Sequence, residues 1–188
     1  MRVYIIRHGE SENNFKKLWT GWLNIPLTEK GEQDAKKARE FLKTVNFDKV
    51  FSSDLKRAID TTEIALPEYK YETSPLLREI NVGNIAGLPL SALTSEERAS
   101  AVINGYSAYG GETKAEITER IRLFKKELEG MSFERVALVC HADWLRGFLD
   151  EVVGTVLPRA NVMCLNCAIG IFEYNKGVWK LHSWVNLD

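Results

Sequence analysis

The chain is short of three things, and each shortage excludes a class of protein. Net charge is nearly absent: Lys and Arg number 25 against 26 Asp and Glu. Nothing in that total suits a polyanion, so no nucleic-acid partner is expected, although a local positive pocket can hide inside a neutral sum. No apolar run is long enough to cross a bilayer, and no charged-then-apolar leader with a small-residue cleavage site is found. The expectation is a chain of the reducing cytoplasm with no membrane partner. Cysteine is scarce and odd in number, at Cys140, Cys164 and Cys167, so no disulfide framework is implied. A redox pair at Cys164 and Cys167 should open a helix, and a zinc site would need two more ligands. Only His8, His141 and His182 could supply them, all remote in sequence. The pair reads as two small hydrophobes in a core strand or its approach. Internal repeats, linkers and low-complexity tracts are also missing, and 188 residues suffice for one domain, 1–188, with a core that needs no staples.

What is present is a recurring junction. Arg2 to Ile6 read as a buried strand that breaks into Arg7-His8-Gly9-Glu10-Ser11. Residues 11 to 27 read as a long loop, and such loops are usually functional. Thr28 to Thr44 has helical spacing, with Thr28 as N-cap. Asp48 to Phe51 gives a second strand that ends in Ser52-Ser53-Asp54, followed by a helical stripe from Leu55 to Thr62 and an outer strand at 69–73. Strand, helix, strand, helix, strand predicts a parallel sheet with helices on its faces. From Ser74 to Gly111 the pattern loosens into an excursion, a small lid at about 80–111 with one short helix at 95–104. Thr113 and Glu116 have capping-box spacing for a helix to about Glu129. Arg135 to Val139 is the most apolar strand; it ends in Cys140-His141, with a helix from about Asp143 to Val153. Ala168 to Tyr174 and Val178 to Trp184 flank a turn as an antiparallel hairpin, whose edge is open to self-association. The predicted architecture is α/β: a three-layer sandwich around a mostly parallel sheet.

In open α/β sheets, ligands bind at the carboxyl ends of the strands. If the three junction strands are parallel neighbours, Arg7, His8, Arg57 and His141 meet in one crevice. Helix N-termini add backbone N–H groups there, and two guanidinium groups grip an anion bidentately. That set suits a phosphoryl dianion. A zinc reading with His8, His141 and Glu79 as ligands is opposed by the arginines, which would repel the metal. His182 has no such neighbours and is assigned no role.

These residues resemble the histidine phosphatase superfamily, the phosphoglycerate mutase-like fold. The resemblance rests on Arg7-His8-Gly9-Glu10-Ser11, Asn14, Thr20-Gly21-Trp22 and Leu27 to Glu32, then Ser52 to Ala58, Leu77-Arg78-Glu79 with Gly83 and Gly87, and Val139 to Ala142. It implies that His8 attacks phosphorus and becomes phosphohistidine. Glu79 protonates the leaving oxygen and then deprotonates water. Arg7, Arg57 and His141 hold the phosphoryl oxygens, with Ser11, Asn14, Thr20, Gly21 and Ala142 as substrate-binding residues. No metal or other cofactor is required, and the partner is a small phosphorylated metabolite. Flanking arginines favour neutral His8 but oppose protonated Glu79, so the site is expected to become competent only when a phosphate dianion arrives, with a mildly acidic to neutral optimum.

Within the family the chain sits between two activities. Thr20-Gly21-Trp22 leans toward the mutases. The short excursion, Arg98 as the sole basic residue between Glu79 and Gly111, and Val82 in place of the mutase tyrosine lean toward the small phosphatases. The alternatives are a cofactor-dependent phosphoglycerate mutase, or a phospho-ligand binding module with weak turnover. Ala86 departs from the small-phosphatase pattern, which often has glutamate there. Asp143 also departs from it: the carboxylate either caps the helix after His141 or meets a donor on the substrate. Val82, Ile85, Leu88, Tyr106 and Tyr109 either contact a partly apolar substrate body or only pack the lid.

Overall fold

The computed structural model describes residues 1–158 and 161–187. Six strands, β1 (Arg2–Arg7), β2 (Lys49–Ser52), β3 (Tyr71–Thr73), β4 (Arg135–Cys140), β5 (Ile169–Asn175) and β6 (Val178–Val185), form one sheet in the order β3-β2-β4-β1-β5-β6. The first four in that order are parallel; β5 runs antiparallel to β1 and makes the hairpin with β6. Around the sheet lie α2 (Glu29–Leu42), α3 (Lys56–Ala65), α5 (Lys114–Glu129) and α6 (Ala142–Val153). The expected architecture is the observed one, with β3 on the outside. No helix among the described residues is long and apolar enough to cross a membrane.

Strand periodicity sorts the apolar side chains into two cores. Val3, Ile5, Val136, Leu138 and Cys140 face α5 and α6, burying Ile117, Ile121, Phe124, Trp144 and Phe148. Tyr4, Ile6, Ala137 and Val139 face α2 and α3, packing on Ala35, Ala38 and Ala58. Covering both faces is why β1 and β4 read as unbroken apolar runs. Phe148 lies wholly within this core, ringed by Trp144, Phe172 and Trp179. Truncating such a ring to alanine costs about 3–5 kcal/mol.

Register sets the strand ends. β1 and β4 pair from Arg2↔Arg135 to Arg7↔Cys140, and β2 joins with Ser52↔Val139. The residues that follow β1 and β4, His8 and His141, therefore emerge at one level, with Ser53 one residue below on β2. The turn after β1 also needs two glycines. A side chain on Gly9 would meet the Gly31 carbonyl at 2.3 Å, and one on Gly31 would meet the Glu10 carbonyl at 2.0 Å. The turn after β1 and the start of α2 thus pack backbone to backbone.

Two local expectations are corrected. The stretch 11–27 is not wholly loop, because α1 (Glu12–Phe15) forms within it, closed by a reciprocal capping box between Ser11 and Asn14. Asp143 is not the cap of α6. The N-cap is His141, whose backbone is extended, and Asp143 lies in the first helical turn, where negative charge still suits the dipole. The excursion holds short 3₁₀ turns and α4 (Ser95–Asn104). It is stitched to the segment after α1: Trp19 N–H donates to Leu88 O, Gly87 N–H to Trp19 O and Leu90 N–H to Lys17 O, at 2.8–2.9 Å. Cys164 and Cys167 are buried on the approach to β5, as expected, and burial pushes both thiols up, away from the reactive thiolate.

Candidate active site

A cavity of about 340 Å³ opens over the carboxyl ends of β1 and β2. Its wall includes Arg7, His8, Arg57, Glu79, Asn14, Thr20 and Gly21, which the sequence singled out. His141 stands directly behind, fully buried, with its ring centroid 5.1 Å from that of His8. Ser11 and Ala142 are not on the wall: Ser11 is buried in the cap of α1, and Ala142 opens α6.

His8 is held by its own main chain. Its N–H donates to Cys140 O at 3.0 Å, and its carbonyl accepts from Cys167 N–H and Asn166 Nδ2. The Nδ1 atom lies 2.7 Å from Gly9 O. A carbonyl can only accept, so Nδ1 carries the ring proton and Nε2 presents its lone pair. Arg57 Nε–H meets that lone pair at 3.2 Å. Burial, then the charges of Arg57 and Arg7, hold His8 well below its usual value, so the ring is neutral at physiological pH.

Arg57 projects from the first turn of α3 and is almost inaccessible. Its remaining donors are fixed by the loop after α1: Nη1 to Leu23 O at 3.0 Å and Nη2 to Gly21 O at 2.8 Å. Burial lowers it to about 10, against the pull of Glu79, so it remains a cation. Arg7 Nη1 donates to Cys164 O at 2.6 Å, while its Nε is buried without an acceptor. His141 Nε2 lies 2.9 Å from Ser53 Oγ, and its Nδ1 is likewise buried and unpartnered. Ser53 was not anticipated as a partner. Its position at a strand end was readable, but the register that brings it beside β4 was not.

Glu79 sits across the cavity on a stretch without regular structure. Its carboxylate accepts from Ile80 N–H at 3.0 Å and Asp143 N–H at 3.4 Å. Burial and the Asp143 charge push it up to about 7, against Arg57. Desolvation and a second carboxylate thus act against the arginine and shift Glu79 toward its protonated form. Two donors from opposite sides fix its backbone carbonyl, Trp22 Nε1 at 2.7 Å and Arg120 Nη2 at 3.1 Å.

The rest of the wall comprises Asn13, Lys17, Leu18, Trp19, Ile80, Val82, Leu90, Tyr106 and Asp143. Asn13 was missed because the four-residue helix that carries it was read as loop, and Lys17 because it lies in the turn that follows. Lys17 has a left-handed φ of 54°, uncommon for lysine. Of the excursion residues, Val82 and Tyr106 reach the cavity, whereas Ile85 is packed in the core and Leu88 is exposed. Among the described residues no group of three or more His, Cys, Asp or Glu could hold a metal ion. The donor set itself is unsuited to one, since the His8 lone pair faces a guanidinium.

The chain resembles known proteins along almost its whole length. The family model for the histidine phosphatase superfamily (branch 1) matches residues 3–187. The curated "Probable phosphoglycerate mutase GpmB" of Salmonella paratyphi A is 29% identical over 196 residues, covering 98% of this chain and 90% of the relative. Among solved structures, alpha-ribazole phosphatase from Shigella flexneri superposes with a TM-score of 0.83 at 25% identity, covering 98% of this chain and 96% of that one. A phosphoglycerate mutase from Bacillus anthracis shares the fold at 23% identity, TM-score 0.83, with coverage of 97% and 92%. The chain belongs to the histidine phosphatase superfamily.

Proposed function

We propose that this protein hydrolyses a small phosphomonoester through a phosphohistidine on His8. The observation that carries the reading is the arrangement around Nε2. A neutral imidazole presents its lone pair among Arg57, Arg7 and His141, and two of those three carry buried nitrogens with no partner, Arg7 Nε and His141 Nδ1. Buried donors without acceptors are costly, and phosphoryl oxygens are the acceptors that suit them. With the Ser53 O–H donating into His141 Nε2, the proton of the ring lies on Nδ1, which has no protein partner and is directed at phosphate.

In this mechanism His8 Nε2 forms a bond to phosphorus as the ester oxygen leaves, and Glu79 gives that oxygen its proton. Glu79, now ionised, takes a proton from water as the water attacks phosphorus. The P–N bond breaks and inorganic phosphate is released. The guanidinium groups meet charge on the equatorial oxygens, the main route by which proteins accelerate phosphoryl transfer.

Hydrolysis rather than mutase transfer is favoured by the excursion. Arg98, its one basic residue, spends its guanidinium on Leu90 O and Ser95 Oγ and is not on the cavity wall. A mutase must bind a second anionic group, for which the wall offers only Lys17 beside Arg7 and Arg57, and must keep water from the phosphoenzyme. A small phosphorylated metabolite is the substrate class that fits 340 Å³. The test is p-nitrophenyl phosphate turnover by wild type and His8→Ala, with rapid acid-free quenching to capture a phosphorylated His8. A loss of about 10⁴-fold or more is expected, with an acid-labile phosphoryl group on wild type alone and no effect of chelator. Equal rates in the two proteins would refute the enzyme reading.

A further inference from the structure

We infer that Arg120, paired with Glu112, is a positioning residue that fixes the general acid Glu79 from outside the cavity. This rests on the hydrolase reading above. Residues 78–82 belong to no helix or strand, so no hydrogen-bond ladder sets where Glu79 stands. Arg120 supplies what the backbone lacks. From the second turn of α5 its Nη1 donates to Leu76 O and Arg78 O, both at 3.0 Å, and its Nη2 donates to Glu79 O at 3.1 Å. One planar group thereby gathers three carbonyls within four residues of chain.

The guanidinium is itself held. Nε and Nη2 fork onto the Glu112 carboxylate at 2.7 and 2.9 Å. Glu112 Oε2 also accepts Asn81 N–H at 2.7 Å, so the same pair grips the acid segment on its far side. Side-chain exposures of 15% and 13% make this the one ion pair among the described residues with both partners so enclosed. Neither residue lines the cavity. Arg120 therefore acts on the reaction through the segment it holds, its charge being the least of the causes that lower His141. A group of this kind needs the bidentate, five-donor geometry of arginine, which lysine lacks.

A displaced acid should penalise poor leaving groups and spare good ones, because a dinitrophenolate departs without a proton. Phenyl phosphate and 2,4-dinitrophenyl phosphate are compared by kcat/KM, which reports transfer to His8 and not the later hydrolysis. For Arg120→Met the expected loss is about 30-fold or more on phenyl phosphate and below about 3-fold on the dinitrophenyl ester, since general acids contribute roughly 10²–10⁴. In a Glu79→Gln background, adding Arg120→Met should cost almost nothing further on phenyl phosphate, as coupled residues are not additive. Arg120→Lys, which keeps the charge but not the fork, should show the same selectivity at smaller amplitude, and it carries the test if the methionine variant does not fold. Equal losses on both esters, or no loss on either, would overturn the assignment. A wild type silent on both esters overturns the hydrolase reading, and this inference with it.

Discussion

The two sides of the cavity are built by different means. On one side His8, His141 and Ser53 follow strands that end within one residue of each other, and the main chain of a paired sheet sets their places. On the other, Glu79 rides an irregular segment held by side chains reaching in from the loop after α1 and from α5. Burial acts on both and tunes them in opposite senses. Removing water disfavours whichever form is charged, so it lowers the imidazole and raises the carboxyl. Flanking charges reinforce each shift, arginines on the base and Asp143 on the acid. The lesson is that one dry pocket can hold a neutral imidazole beside a carboxyl shifted toward its protonated form.

Breaking the sheet-borne side should have the largest effect. Arg57→Met removes the cation facing Nε2 and also frees the carbonyls of Gly21 and Leu23. A fall of about 10³-fold in kcat/KM is expected, comparable to the loss of an electrostatic clamp. A fall below tenfold would mean that Arg7 and His141 suffice. Sharpening the acid side calls for a pH profile. Glu79 must be protonated to donate, so the alkaline limb of kcat/KM should lie near its value of about 7, with activity lost above it. Asp143→Asn removes one of the two causes that raise Glu79, so the limb should move to lower pH while the acid limb, set by His8, stays in place. A limb that stays put would free Asp143 from this role. Smallest is Ser53→Ala, which leaves the phosphate contacts but lets His141 choose its tautomer. A loss of about tenfold is expected, since such an orienting hydrogen bond acts only through its partner.

That contrast also explains what the sequence disclosed. The apolar runs of β1 and β4, each broken by a histidine, were readable because strand periodicity and burial leave marks in composition. The cap at Thr28 and the box at Thr113 and Glu116 were readable because they are local. The acid role of Glu79 was reached through family resemblance alone, since nothing local distinguishes it. Arg120 lies 41 residues away and its role exists only in the folded chain. Asp143 was misplaced by one turn of reasoning: the extended His141 takes the cap position, an assignment that depends on where β4 stops. The left-handed Lys17 left no signal, because its conformation is imposed by bonds to Asn14 and Leu90.

One feature of the excursion bears on how such proteins diversify. Its two feet are tied to each other: Glu112 N–H donates to Asn81 O at 2.9 Å, and Asn81 N–H returns a bond to the Glu112 carboxylate at 2.7 Å. The intervening thirty residues leave and re-enter the molecule through a single clasped doorway. Exchanging that cassette would change the roof of the proposed site at Val82, Leu90 and Tyr106, while the strand ends that carry His8 and His141 lie outside it, so selectivity and chemistry rest on separable parts of the chain.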